Sequence, residues 1–212
     1  MQRDPGLTFE RQAWEQGYRL IAGIDEAGRG AWAGPVVAAA VILPDPGKYL
    51  LAELAGVRDS KLLSPAQRER CYGLIERVAV AIGVGAVDAP DIDAQGIVSA
   101  TRTAMLQAAR ALVVAPDYYL VDALYLPVDA PQQDIIKGDR LCLSIAAASI
   151  VAKVTRDRRM IAYDADWPAF GLARNKGYGT DEHKRALQLI GPTPIHRYSY
   201  RPVRLAAEHS HG

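Results

Sequence analysis

At 212 residues the chain can bury one substantial domain, and 50% hydrophobic with 23% charged residues excludes a disordered or collagen-like polypeptide. The net charge of +1 hides a local excess, because Lys153, Arg156, Arg158, Arg159, Arg174, Lys176, Lys184 and Arg185 crowd the last third. Cys71 and Cys142 are too few for a disulfide framework and lack zinc-site spacing, so free thiols in a reducing compartment are expected. Residues 1–18 lack the apolar core of a signal, and no run approaches the roughly 20 apolar residues of a membrane span. These absences point to a soluble, cytoplasmic protein with no membrane partner.

Residues 1–18 read as a polar N-terminal leader holding Trp14, either a short packed helix or a loose end. Leu20–Ile24 and Val36–Leu43 then read as antiparallel strands around a turn rich in Gly and Pro. Ser64, Pro65 and Gln67 spell a capping box, which predicts a helix running to about Arg77. A third strand over Val78–Val87 completes a meander, and its glycines thin it for a closely packed neighbour. One helix is predicted from Asp91 to Leu112, followed by a strand, Tyr118–Asp122, whose crossover connection makes it parallel. Ile135–Asp139 offers a further strand, and a helix from about Leu141 to Tyr163 comes next. On that helix Leu143, Ala147, Ile150, Val154 and Ile161 mark a core face, while Ser149, Lys153 and Asp157 mark a polar one. A last helix spans Asp181 to about Ile190, and residues 206–212 are expected to fray.

Asp25, Glu26, Asp122 and Asp139 all fall at or just after predicted strand ends, where open α/β sheets gather their sites. Clustered carboxylates repel, so they imply raised pKa values or bound cations, and oxygen-only donors favour Mg²⁺ or Mn²⁺. Two such ions about 3.5–4 Å apart suit in-line hydrolysis of a phosphodiester. Four ordinary loop acids are the bland alternative. Adjacent strand residues point to opposite faces, so Glu26 is expected to have left strand geometry to join Asp25.

In order along the chain, Gly23-Ile24-Asp25-Glu26-Ala27-Gly28-Arg29-Gly30, Ala33-Gly34-Pro35-Val36-Val37, Asp59-Ser60-Lys61, Lys137-Gly138-Asp139, the Ser144–Arg158 run and Lys176-Gly177-Tyr178-Gly179-Thr180 resemble the bacterial ribonuclease HII signature. The resemblance implies an α/β, RNase H-like fold over residues 19–205: a mixed five-stranded sheet flanked by helices, with a helical C-terminal portion. It also implies endonucleolytic cleavage of RNA in RNA-DNA hybrids and of single ribonucleotides in duplex DNA, leaving 5′-phosphate and 3′-hydroxyl ends. Removal of misincorporated ribonucleotides by a monomer follows, and recruitment to a sliding clamp is left open.

By the same resemblance Asp25, Glu26, Asp122 and Asp139 hold two Mn²⁺ or Mg²⁺ ions. Gly28, Arg29 and Gly30 feel the 2′-hydroxyl, the group that separates RNA from DNA. Tyr178 stacks on the neighbouring deoxyribose, and Lys61, Ser149 and Lys153 approach phosphates. Asp157 is expected to support the site, or else to pair with Arg156 or Arg158. His183 and His196 are assigned structural roles, since the chemistry needs no histidine. The family commonly has Pro-Leu where Ala31-Trp32 stand, so turn rigidity or substrate grip is expected to differ here.

Overall fold

The computed structural model describes residues 4–45 and 50–209; the outermost residues of the leader and of the tail expected to fray lie outside them. The first helix, α1 (Thr8–Glu15), buries Glu10, Ala13 and Trp14. The leader is thus a packed helix. Gly6 N–H donates to the Leu141 carbonyl at 3.2 Å, and Leu143 N–H donates to that of Gly6 at 3.0 Å.

The sheet strands are β1 (Ile21–Ala27), β2 (Val36–Ile42), β3 (Ala81–Val87), β4 (Tyr118–Asp122) and β5 (Gln132–Ile135), in spatial order β3-β2-β1-β4-β5. The first three pair antiparallel as the predicted meander, and β4 joins β1 in parallel. Every residue of β2 is buried. That is why its Val-Val-Ala-Ala-Ala-Val-Ile run is continuously apolar rather than alternating.

Between β2 and β3 come α2 (Leu50–Glu53), a 3₁₀ turn at Ser60–Leu62, and α3 (Pro65–Val78). The capping box is present: the Ser64 hydroxyl accepts from Gln67 N–H at 3.3 Å, and Gln67 Oε1 accepts from Ser64 N–H at 2.8 Å. Because α3 continues to Val78, β3 starts at Ala81, three residues later than predicted. The predicted 91–112 helix is two, α4 (Ala89–Gln95) and α5 (Ile97–Arg110), broken where Gly96 takes φ 79°. Helix α5 lies so close to β3 that a Cβ on Gly83 or Gly85 would come 2.1 Å or 2.2 Å from α5 carbonyl oxygens.

The predicted strand at 135–139 is displaced. Strand β5 ends at Ile135, Lys137 turns the chain with φ 58°, and a 3₁₀ turn at Gly138–Arg140 carries Asp139. The 24-residue α6 (Leu143–Asp166) then covers one sheet face, with α5 on the other. Ile161, expected on its core face, is 52% exposed, because 24 residues at 1.5 Å each outrun seven-residue strands. Helices α7 (Leu172–Asn175), α8 (Asp181–Ile190) and α9 (Arg201–His209) close a third apolar cluster around Phe170, Leu172, Leu187 and Val203. Ala206, placed in the fraying tail, is buried in that cluster. No helix of the described residues is long and apolar enough to cross a membrane.

Candidate active site

The parallel register aligns Ile24 with Val121, so Asp25 and Asp122 are the next pair along β1 and β4, on the face covered by α6. Glu26 remains in β1, opposite Ala38, which corrects the expectation that it leaves the strand. It reaches its neighbours because the β1–β4 ladder stops at Ile24, freeing that edge for a longer side chain. Oxygen atoms of Asp25, Glu26 and Asp122 fall within 4.8 Å of one another. Asp139 is outside this triplet.

The 3₁₀ turn nevertheless holds Asp139 alongside. Asp122 Oδ1 accepts from Gly138 N–H at 2.8 Å, and Asp139 Oδ2 lies 3.7 Å from Lys61 Nζ. Buried Asp59 caps the Lys61 turn, accepting from Lys61 N–H at 2.9 Å and from Arg140 Nε at 3.1 Å, so one carboxylate ties the two turns.

Burial, and then the neighbouring charges of Glu26 and Asp122, push Asp25 well above the usual carboxylate range. Burial also raises Glu26, against the pull of Arg29, whose Nη1 lies 3.3 Å from Glu26 Oε1. Burial and the charge of Asp59 raise Asp139. Glu26 Oε2 is buried without a hydrogen-bond partner. An orphaned carboxylate oxygen inside an all-oxygen cluster fits a hard divalent cation.

Ser149 is 2% exposed, and its hydroxyl meets Ser60 Oγ at 2.9 Å and hydrogen-bonds Asp25. From this buried position it props an acid of the cluster. Lys61 is open to solvent; burial depresses its pKa, but the charges of Asp139, Asp25 and Asp59 outweigh that and raise it. Lys153 Nζ donates to Asp157 Oδ1 at 2.7 Å. Asp157 also faces Arg68 Nη2 at 3.5 Å, so its partners are Lys153 and Arg68 rather than Arg156 or Arg158.

The turn after β1 is tied to the Tyr178 loop. Gly28 has φ +93°, and a Cβ there would lie 2.0 Å from Arg156 Nε. A Cβ on Gly30 would meet nothing. Packing thus explains Gly28 and leaves Gly30 bare toward the outside. Arg156, fully buried, donates to the carbonyls of Pro35 at 2.8 Å, Lys176 at 2.9 Å and Ala33 at 3.0 Å. Arg197, also buried, donates to Gly34 at 2.9 and 3.0 Å and to Arg29 at 2.9 Å. Burial pulls the Arg156 guanidinium down to about 10.

In sequence Arg156 reads as part of a basic surface, yet it continues the buried stripe Ala148, Ala152, Met160 at four-residue spacing. That stripe was the available signal. Asp59 stood in the Asp59-Ser60-Lys61 motif without a role, and Arg197 and Arg68 had no signal. Tyr178 is 36% exposed, its ring centre 5.3 Å from Arg156 Cζ and 5.5 Å from Lys153 Nζ.

Ala31 is wholly buried and closes the turn by donating to Gly28 at 3.2 Å. Trp32 turns inward: its indole fills the space beside Gly179, and its backbone N–H donates to the Gly177 carbonyl at 2.8 Å. The large ring packs the turn against the loop.

This sheet order and acidic cluster define an α/β chain of RNase H-like architecture with an oxygen-donor site suited to divalent cations. The family model for ribonuclease HII matches residues 22–203. A ribonuclease HII of Chloroflexus aurantiacus is 53% identical over 201 residues, covering 94% of each chain. Among solved structures, the ribonuclease H2 of Pyrococcus horikoshii matches with TM-score 0.76 and 27% identity, covering 89% of this chain and 97% of that one. The RNase HII of Archaeoglobus fulgidus, solved in complex with PCNA, matches with TM-score 0.68 and 26% identity over 84% and 93%. The chain belongs to the ribonuclease HII family, hydrolytic endonucleases acting on RNA-DNA hybrids by a mechanism that uses two metal ions.

Proposed function

We propose that this chain cuts the RNA strand of RNA-DNA hybrids and also single ribonucleotides embedded in duplex DNA, leaving 5′-phosphate and 3′-hydroxyl ends, and so removes misincorporated ribonucleotides. The observation that carries this reading is the adjacency of an all-oxygen acidic cluster to a bare glycine turn stapled to an exposed tyrosine. Asp25, Glu26 and Asp122, with Asp139 beside them, would hold Mn²⁺ or Mg²⁺. Bound there, the cations supply an activated water and stabilise the leaving oxygen.

The chain's own groups do the rest. Gly28, Arg29 and Gly30 bring backbone against the ribose 2′-hydroxyl, with no side chain at Gly30 in the way. Tyr178 offers its ring to the adjacent deoxyribose. Lys61 and Lys153 attract backbone phosphates, which positions the duplex without reading sequence. Ser149 and Asp157 support this set through Asp25 and Lys153.

A monomer working in the cytoplasm fits the reading, and contact with a sliding clamp is an added proposal, drawn from the Archaeoglobus fulgidus relative. The test is a panel of three duplexes, one with a single ribonucleotide, one RNA-DNA hybrid and one all-DNA, each with divalent cation or chelator. Metal-dependent cuts at ribonucleotides with 3′-hydroxyl products are expected. Cleavage of all-DNA, or of the hybrid alone, would contradict it.

A further inference from the structure

The acidic site leaves one buried polar chain unused. His183 is 0% and His196 1% exposed, and their Nε2 atoms meet at 3.0 Å beside Phe170. Thr193 N–H points at His196 Nδ1 from 3.0 Å. A backbone N–H only donates, so this ring nitrogen accepts and the proton of a neutral His196 sits on Nε2. Burial keeps the rings neutral, pulling His196 down to about 4 and His183 below its ordinary value.

Each link then forces the next. His196 Nε2–H donates to His183 Nε2, which leaves the His183 proton on Nδ1, 3.0 Å from the Tyr178 carbonyl oxygen. Thr193 Oγ1, 2.9 Å from His196 Nδ1, is a second donor in the same direction. The segment that starts the chain also carries Arg197, which grips the Arg29 carbonyl in the glycine turn.

We propose that His183 and His196 are positioning residues for Tyr178: a one-way hydrogen-bond chain from Thr193 fixes the Tyr178 peptide and thereby the direction in which its ring faces bound nucleic acid. Two imidazoles satisfied only by each other would need no fixed direction. This chain has one, and it ends at the residue before Gly179, where Trp32 wedges the loop from the other side. The role rests on the reading of Tyr178 as a substrate-facing ring.

Two measurements test it. Long-range ¹H–¹⁵N NMR of the native protein reads the tautomers with no catalysis involved. A proton on His196 Nε2 and on His183 Nδ1 is expected, and the opposite tautomer on either ring overturns the chain. Second, kcat and KM are measured on a single-ribonucleotide duplex for His183→Ala, His183→Asn, His183→Gln, Tyr178→Ala and the double variant Tyr178→Ala with His183→Ala. Asparagine restores an N–H near Nδ1, whereas glutamine reaches only the Nε2 position.

Loss of the bond is expected to lower kcat/KM about tenfold in His183→Ala, the size of one buried hydrogen bond. His183→Asn should recover most of it and His183→Gln should not. In the Tyr178→Ala background His183→Ala should add nothing. Equal rescue by glutamine, or a full His183→Ala effect without Tyr178, overturns the role. Should Tyr178→Ala itself cut at the native rate while the tautomers are as stated, the substrate role of Tyr178 falls, and the positioning role with it, for a reason distinct from a broken chain.

Discussion

Asp25 is the residue at which stability and chemistry pull in opposite directions. Burial and two like charges hold its protonation high, so in metal-free protein its ionised form destabilises the fold. The stability associated with its raised pKa is present below about pH 4 and is lost as pH rises through the folded value. Asp25→Asn should therefore melt higher than wild type in chelator near pH 7.5, by roughly 2–4 °C if ~1 kcal/mol of repulsion is relieved. Thermal melts in chelator read this directly, and an unchanged or lower Tm would show the carboxylates to be unstrained. The two turn glycines separate in the same way. Gly30→Ala should leave Tm untouched, because a Cβ there meets nothing in the protein, and on the proposed reading of this turn it should lower kcat/KM on ribonucleotide duplexes about tenfold. Gly28→Ala should lower Tm by several degrees, since φ +93° and Arg156 both oppose a side chain there.

At the scale of elements, α6 gathers the site. Its N-terminus is held by Glu10 of α1, whose Oε1 accepts from Ser144 N–H at 2.8 Å and from the Cys142 thiol at 3.1 Å. A buried carboxylate at a helix start satisfies a free N–H and favours the positive dipole end. Glu10→Ala should cost ~2 kcal/mol, a fall of roughly 4–8 °C in Tm, and Glu10→Gln less, because an acceptor remains. The C-terminal helices carry an acid-sensitive joint. His196 titrates at about 4 in the folded chain against an ordinary 6.5, so the neutral pair stabilises above pH 6.5 and that stability is lost as pH falls toward 4. The shift corresponds to on the order of 3 kcal/mol. Between pH 7 and 5, Tm should fall more steeply in wild type than in His196→Asn, and parallel slopes would contradict it.

Over the whole molecule, apolar periodicity and turn chemistry made the meander, the crossover and the capped α3 legible, because each is decided by neighbours in the chain. Boundaries failed where a single residue overrode its surroundings, as Gly96 does in splitting a helix and Lys137 in turning the chain before Asp139. Asp25, Glu26 and Asp122 were legible from the ends of their strands, whereas Asp139 lies on a 3₁₀ turn after β5 and was singled out by a strand that ends earlier than expected. What stayed hidden was long-range: Arg197 reaching Arg29, Asp59 reaching Arg140, and Trp32 folding inward against Gly179. None of these contacts has a local pattern, and they set the spacing between the acidic cluster and the glycine turn after β1.

The central claim is that hydrolysis is seated at the paired ends of β1 and β4. It is tested by measuring cleavage and binding of one RNA-DNA hybrid by wild type, Asp25→Asn and Asp122→Asn with saturating Mn²⁺. Both variants should lose cleavage by ~10³-fold or more while hybrid affinity stays within a few-fold. Wild-type cleavage by either variant would contradict the claim.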